Sequence, residues 1–224
     1  EEPAQSPTTG MVAHPGFGEE GKYHSDKHAH AIEPGTKMTF ALVGNHNCGK
    51  TALFNRITGS TMRVGNFPGT TVERKDGTIL GDSISTAIDL PGVYSLYDES
   101  PTNAFLKENK PTCIINVVDA GNIARNLYLT TQLLELDIPV VVALNMMDEL
   151  ESSGGHIRVN LMESLLGVPV VPVSVAQNQG VEELLEHAVH IARYQEKPAC
   201  TEFPDRERVA AKVSQIEEQT GLDH

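Results

Sequence analysis

The chain has 224 residues, 39% of them hydrophobic and 21% charged, which suits one globular domain with extensions and excludes wholesale disorder. Thirty acidic residues against seventeen basic ones leave a net charge of −13, which disfavours a nucleic-acid phosphate backbone as partner. Three cysteines, far apart and odd in number, argue against a disulfide framework and suit a reducing compartment. No apolar run approaches the ~18–20 residues of a membrane span, and no basic-then-apolar start marks a signal peptide.

In chain order, residues 1–37 are rich in Pro, Gly, Ser, Thr and His without periodicity and are expected to form a flexible leader. The apolar run 38–43 predicts a first strand, broken at Gly44. Residues 51–57 begin a helix with Gly59 as its cap. Two strands are expected at 78–80 and 85–90, around a turn at Gly81 and Asp82. The solidly apolar runs 113–118 and 140–145 have the pattern of parallel strands covered on both faces. Between them Ile123, Leu127, Thr130, Leu134 and Leu136 supply a helical stripe. A last strand at 168–173 and a helix at 181–194 complete the unit. Strands alternating with helices predict an α/β fold with a doubly wound, mostly parallel sheet. The domain is expected to span 38–195, followed by a tail at 196–224 with a polar helix near 206–219.

Gly44, Asn45, His46, Asn47, Cys48, Gly49, Lys50 and Thr51 fit the phosphate loop G-x-x-x-x-G-K-[ST]. In such a loop backbone N–H groups wrap the phosphates and the helix N-terminus adds its dipole. Lys50 is the phosphate cation and the Thr51 hydroxyl a Mg²⁺ ligand. The motif follows a strand and opens a helix, as its chemistry requires. Asp89, Leu90, Pro91 and Gly92 form D-x-x-G at the end of an apolar strand, two strands after the phosphate loop. Asp89 is expected to hold Mg²⁺ and the Gly92 N–H to sense a γ-phosphate.

Asn145, Met146, Met147 and Asp148 give N-x-x-D after another strand. The Asp148 carboxylate can accept from guanine N1–H and N2–H₂, a donor pair that adenine lacks on that edge. Asn145 is expected to tie the loops together and Met146 to wall the base. Ser174, Val175 and Ala176 follow the next strand, where a backbone N–H can meet guanine O6. All four motifs lie at C-terminal strand ends, where α/β sheets bind ligands. Between the first two motifs, Gly69, Thr70, Thr71, Val72 and Glu73 occupy the position of a first switch. A threonine there closes on Mg²⁺ and the γ-phosphate; the two adjacent threonines leave the choice open on physical grounds.

These stretches resemble the cytosolic G domain of the FeoB family, the bacterial ferrous iron transport protein B. The resemblance covers about residues 38–196 and is carried by FALVGNHNCGKTALFNRITGS, VGNFPGTTVERKDG, DLPGVYSL, NMMD and VPVSVAQNQGVEEL. It implies a TrmE-Era-Obg-type GTPase that binds GTP and GDP with Mg²⁺. Thr71 is then the switch threonine, with Lys50, Gly92 and Asn47 also serving hydrolysis. It implies an activating K⁺ held by Asn47, since Val93 stands where small G proteins place a water-orienting glutamine. It further implies a membrane domain and possible oligomers of a longer protein, on the cytoplasmic face of the inner membrane, where GTP powers or gates Fe²⁺ uptake. His46 departs from the proline common at its position, Cys48 from Ser or Ala, and Val175 from alanine. The alternative is a ribosome-assembly GTPase of the Era or Der type, which would carry a basic RNA-binding domain.

Two features lie outside this frame. His14, His24, His28 and His30 in the leader, with Glu19, Glu20 and Asp26, can bind a borderline divalent ion, although no spacing matches a closed site. Cys48 stands beside Lys50 at a helix N-terminus, a setting that lowers a thiol pKa; equally, it fills a small space.

Overall fold

The computed structural model describes residues 31–59, 62–97 and 100–201. In chain order these form β1 (Thr39–Gly44), α1 (Lys50–Thr58), β2 (Met62–Asn66), β3 (Glu73–Thr78), β4 (Thr86–Asp89), α2 (Pro101–Asn109), β5 (Cys113–Asp119), α3 (Ile123–Leu134), β6 (Val140–Asn145), α4 (Met147–Ser152), α5 (Val159–Leu166), β7 (Val170–Pro172) and α6 (Val181–Tyr194). The strands make one sheet in the order β2-β3-β4-β1-β5-β6-β7. Neighbours from β4 to β7 pair in parallel. The β2–β3 hairpin and the β3–β4 pair are antiparallel. The expected doubly wound, mostly parallel sheet is therefore present.

Alternation along the central strands builds two cores. Ala41, Val43, Ile114, Val142 and Leu144 face α3 and α5, where Leu127, Leu133 and Leu166 meet them. Phe40, Leu42, Ile115, Val141 and Ala143 face α1 and α6, against Leu53, Phe54, Leu184 and Ile191. Full burial of each large aliphatic side chain contributes ~1.5–3 kcal/mol, which is how a chain poor in aromatics holds the sheet.

The edge differs from the sequence expectation. The strand expected at 78–80 is the end of β3 and the start of a turn, where the Asp82 N–H donates to the Ile79 carbonyl (3.1 Å) and the Ile79 N–H to the Ser85 carbonyl (3.2 Å). With β2 and β3 both preceding it, the strand carrying D-x-x-G is the third after the phosphate loop, not the second. Neither strand shows apolar alternation because the hairpin has almost no buried face: β2 is exposed throughout. Its charges pair locally, Arg74 with Asp76 and Lys75 with Glu73. The last strand is shorter than expected, Val170–Pro172. α2 is capped by Ser100, whose Oγ accepts from the Asn103 N–H (3.2 Å), and opens with Pro101, a favoured start.

At the end of the expected leader the Ile32 N–H donates to the Arg193 carbonyl of α6 (2.7 Å). Residues 1–30, with the four leader histidines, and the helix expected at 206–219 lie outside the described residues. Among the described residues no helix is long and apolar enough to cross a membrane.

Candidate nucleotide site

The parallel strands β1, β4, β6 and β7 all deliver their following loops to one edge of the sheet. β1 stops at Gly44, and the loop from Asn45 to Gly49 turns through left-handed backbone at Asn47 (φ 64°) and Gly49 (φ 87°). Glycine is required at 49 twice over: besides the positive φ, a Cβ there would lie 2.2 Å from Asn145 Nδ2. His46 and Asn47 stand exposed on the loop, while Asn45 and Cys48 are buried.

At the start of α1, Lys50 is buried and its ammonium pairs with Asp89 Oδ1. The Thr51 hydroxyl donates to Asp89 Oδ2 at 2.8 Å. One carboxylate thus gathers the cation and the hydroxyl singled out in the phosphate loop. Thr51 and Asp89 bring hard oxygen donors side by side, the donor set that suits Mg²⁺.

The D-x-x-G segment is fastened along its length. The Leu90 N–H donates to the Leu42 carbonyl (3.3 Å) and the Val93 N–H to the Gly44 carbonyl (3.1 Å). The buried Thr102 of α2 donates its hydroxyl to the Pro91 carbonyl (2.8 Å).

The first-switch candidates form the tip of the β2–β3 hairpin. The Phe67 N–H donates to the Val72 carbonyl (3.0 Å), and Thr70 donates both N–H and hydroxyl to the Phe67 carbonyl (3.1 Å each). Phe67 is buried against Phe105 of α2, with the Arg74 guanidinium 5.3 Å from the Phe105 ring. Because Lys75 pairs with Asp89, Glu73 and the tip project past the end of β4, at the phosphate-loop edge. Gly69, Thr70, Thr71 and Glu73 are exposed and Val72 is half-buried. Thr71 hydrogen-bonds to neither Thr51 nor Asp89.

On the other side of the phosphate loop, Asn145 is buried and joins two loops. Its Nδ2 donates to the Cys48 carbonyl (3.0 Å), and its Oδ1 accepts from the Val175 N–H (3.2 Å). Met146 takes left-handed backbone (φ 65°) ahead of α4, and the Met147 N–H donates to the Val173 carbonyl (3.4 Å). Asp148 is half-buried and accepts from Gln177 Nε2 at 3.4 Å. Ser174 and Val175 are buried, and Ala176 is exposed. Gly49, Met146, Asp148, Val175 and Ala176 line one end of a cleft of about 1220 Å³ that continues between α1 and α6.

Of the two readings of Cys48, a reactive thiolate or a small residue filling a small space, the packing agrees with the second. Its side chain is packed into the phosphate loop, and burial pushes the thiol pKa up, outweighing the Lys50 N–H and charge that act to lower it. Among the described residues no group of three or more His, Cys, Asp and Glu side chains is disposed to hold a metal ion. Sequence reading did not single out Tyr94, Thr102, Arg125 or Gln132, all of which hold the segment after Asp89.

A strand–loop–helix phosphate cradle, D-x-x-G, N-x-x-D and a fourth loop on one edge of such a sheet define a G domain of the P-loop GTPase class. The family described as Ferrous iron transport protein B matches residues 38–188, and the chain belongs to it. The Fe(2+) transporter FeoB of Legionella pneumophila (strain Lens) is 48% identical over 166 residues, covering 70% of this chain and 22% of that protein. A GDP-bound S. thermophilus NFeoB mutant is similar at 43% identity and a TM-score of 0.68, covering 82% of this chain and 72% of that one. The G domain of the T. maritima FeoB iron transporter is similar at 36% identity and a TM-score of 0.65, covering 70% of this chain and 99% of that one. The chain spans about a fifth of the length of the curated relatives it matches. The ribosome-assembly alternative is not favoured.

Proposed function

We propose that this domain binds GTP and GDP with Mg²⁺ and hydrolyses GTP slowly, and that in the longer protein the cycle powers or gates Fe²⁺ uptake. The observation that carries the reading is the double hydrogen bond of Asn145. It fixes the phosphate loop, the Asp148 loop and the Val175 loop in one frame, so a purine beside Met146 meets Asp148 while its phosphates meet Lys50. Asp148 reads guanine N1–H and N2–H₂, and the Val175 and Ala176 loop faces O6. Thr51, Thr71 and Asp89 are the Mg²⁺ set; the ion supplies charge neutralisation at the phosphates. The Gly92 N–H receives the γ-phosphate. Asn47, exposed two residues before Gly49, binds an activating K⁺ through its side-chain oxygen.

Phosphoryl transfer depends mainly on positioning and electrostatic stabilisation, and Val93 contributes no polar side chain to either. That absence is the physical ground for a slow basal rate. For the longer protein we propose a membrane domain as partner, placed in the bacterial inner membrane with this domain on the cytoplasmic face. Displacement of a fluorescent GDP analogue tests the base assignment: GTP should compete at micromolar concentration and ATP only at concentrations orders of magnitude higher. Equal competition by ATP removes Asp148 as the reader.

A further inference from the structure

The two outer edges of the sheet end in opposite ways. At β7 the Val142 N–H donates to the Pro169 carbonyl and the Val173 N–H to the Leu144 carbonyl. The backbone groups of Pro169, Val171 and Val173 therefore face β6, and those of Val170 and Pro172 face outward. Neither outward residue can offer an N–H to another strand. The Val170 N–H is held by the Glu163 carboxylate (2.8 Å), and Pro172 has none. Covering and proline are devices by which sheets close an edge.

β2 has neither. The Phe67 N–H donates to the Val72 carbonyl (3.0 Å), and alternation back along the pairing with β3 turns Gly65 and Arg63 inward. Met62, Val64 and Asn66 therefore aim N–H and C=O away from the sheet, and among the described residues no hydrogen bond reaches these groups. The strand is exposed throughout, Val64 at 65%. It contains no proline, lysine or carboxylate, and its one charge is Arg63.

This free edge is complementary to itself. An antiparallel second copy with Val64 on the twofold axis sets Val64 opposite Val64 and Met62 opposite Asn66. Each facing pair exchanges two N–H···O=C bonds, about six in all. Arg63 falls opposite Gly65 of the second copy, so no like charges oppose each other. With Arg74 paired to Asp76 and Lys75 to Glu73, the hairpin carries almost none of the chain's net charge of −13, and a second copy meets little repulsion there.

We propose that β2 is a self-association edge: two copies of this chain pair β2 with β2, antiparallel about Val64, into one continuous sheet. A seam this narrow buries less than ~1,200 Å², the range of weak and transient interfaces, so the dimer forms and dissociates with concentration. The pairing uses no group of the nucleotide site.

Sedimentation equilibrium of the full chain over rising concentration, with amide exchange followed by NMR, tests the pairing. The weight-average mass should climb from monomer toward dimer. Exchange at Met62, Val64 and Asn66 should slow at least about twofold where half the chains are paired. Arg63 and Gly65, already bonded to β3, should change little. Val64→Pro removes an outward N–H that β3 does not use, and Val64→Lys sets two ammonium groups across the axis. Each should abolish the mass increase with the melting temperature close to that of the parent; if the proline variant unfolds, the lysine variant decides. A mass that stays monomeric at every concentration overturns the proposal. So does a dimer that leaves these amides unprotected or that Val64→Lys leaves intact. Protection that persists on dilution overturns it too, because another segment of the same chain then covers the edge.

Discussion

Asn145 and Cys48, 97 positions apart in the chain, are joined by a hydrogen bond of 3.0 Å from the Asn145 amide to the Cys48 carbonyl. The other end of the same amide accepts from Val175. One buried side chain thereby sets the spacing between the loops expected to hold phosphates and base. Asn145→Ala would strand a buried carbonyl and a buried N–H, each worth about 1–3 kcal/mol. GDP affinity should fall by roughly 10- to 100-fold, read by titration of a fluorescent nucleotide; a dissociation constant within twofold of the unmodified chain would refute the framing role.

Asp148→Asn replaces a two-acceptor carboxylate with an amide that has one acceptor and a donor pair. One guanine donor then faces a donor, and GTP affinity should drop by at least about 100-fold. ATP affinity should change far less. Competition titrations with both nucleotides separate this from general damage to the site, which would weaken both alike.

Asn47 gives a salt-dependent prediction. Turnover of the unmodified chain should be faster in K⁺ than in Na⁺, by about tenfold or more if the ion supplies transition-state charge. Asn47→Ala should abolish the difference while GDP binding persists. Identical rates in the two salts for the unmodified chain would remove the ion from the mechanism.

Glu163 makes stability depend on pH. It is fully buried on α5, its Oε1 accepts from the Val170 N–H (2.8 Å), and burial, helped by nearby Glu183 and opposed by that N–H, pushes its pKa from 4.5 up to about 8. The folded state therefore holds a proton that the unfolded chain releases. The stabilisation is complete below about pH 4.5 and is lost as pH rises through about 8. Glu163→Gln keeps shape and hydrogen bond without the proton, so the difference in melting temperature between variant and parent should grow with pH over that window. A constant difference would show that the carboxyl is ionised in the fold.

Cys48 should alkylate slowly. Its thiol is buried and its pKa raised, so labelling of the native domain at neutral pH should be far slower than of the urea-unfolded chain. Comparable rates would mean that the loop opens readily.

The parts legible in the sequence were those whose residues face one environment along their length. β1, β5 and β6 are continuous apolar runs, and α6 carries a clear stripe, so their positions follow from composition and period alone. The site was legible through motif order, since Gly44, Asp89 and Asn145 each end a strand, and Ser174 follows β7, at the same sheet edge. What stayed hidden depends on distant partners. β3 reads as a charged loop because its ladder is satisfied by β2 and β4 and its side chains by one another. Tyr94 is an ordinary aromatic until folding brings Arg125 within 4.4 Å and His46 within 5.0 Å of its ring centre. For Cys48 two readings stayed open, because the sequence displays Lys50 and conceals the packing that buries the thiol.

The register of the edge hairpin limits how Thr71 can act. Lys75 is paired with Asp89, and Glu73 with Asn66, so β3 cannot slide without exchanging its two sides. Thr71 stands only two residues before Glu73, a tether of about 7 Å at full stretch. Its excursions are confined to a small arc around a fixed post. If Thr71 closes on a phosphate as proposed, that short leash leaves rotation within the loop, not sliding of the strand, as the way to reach it.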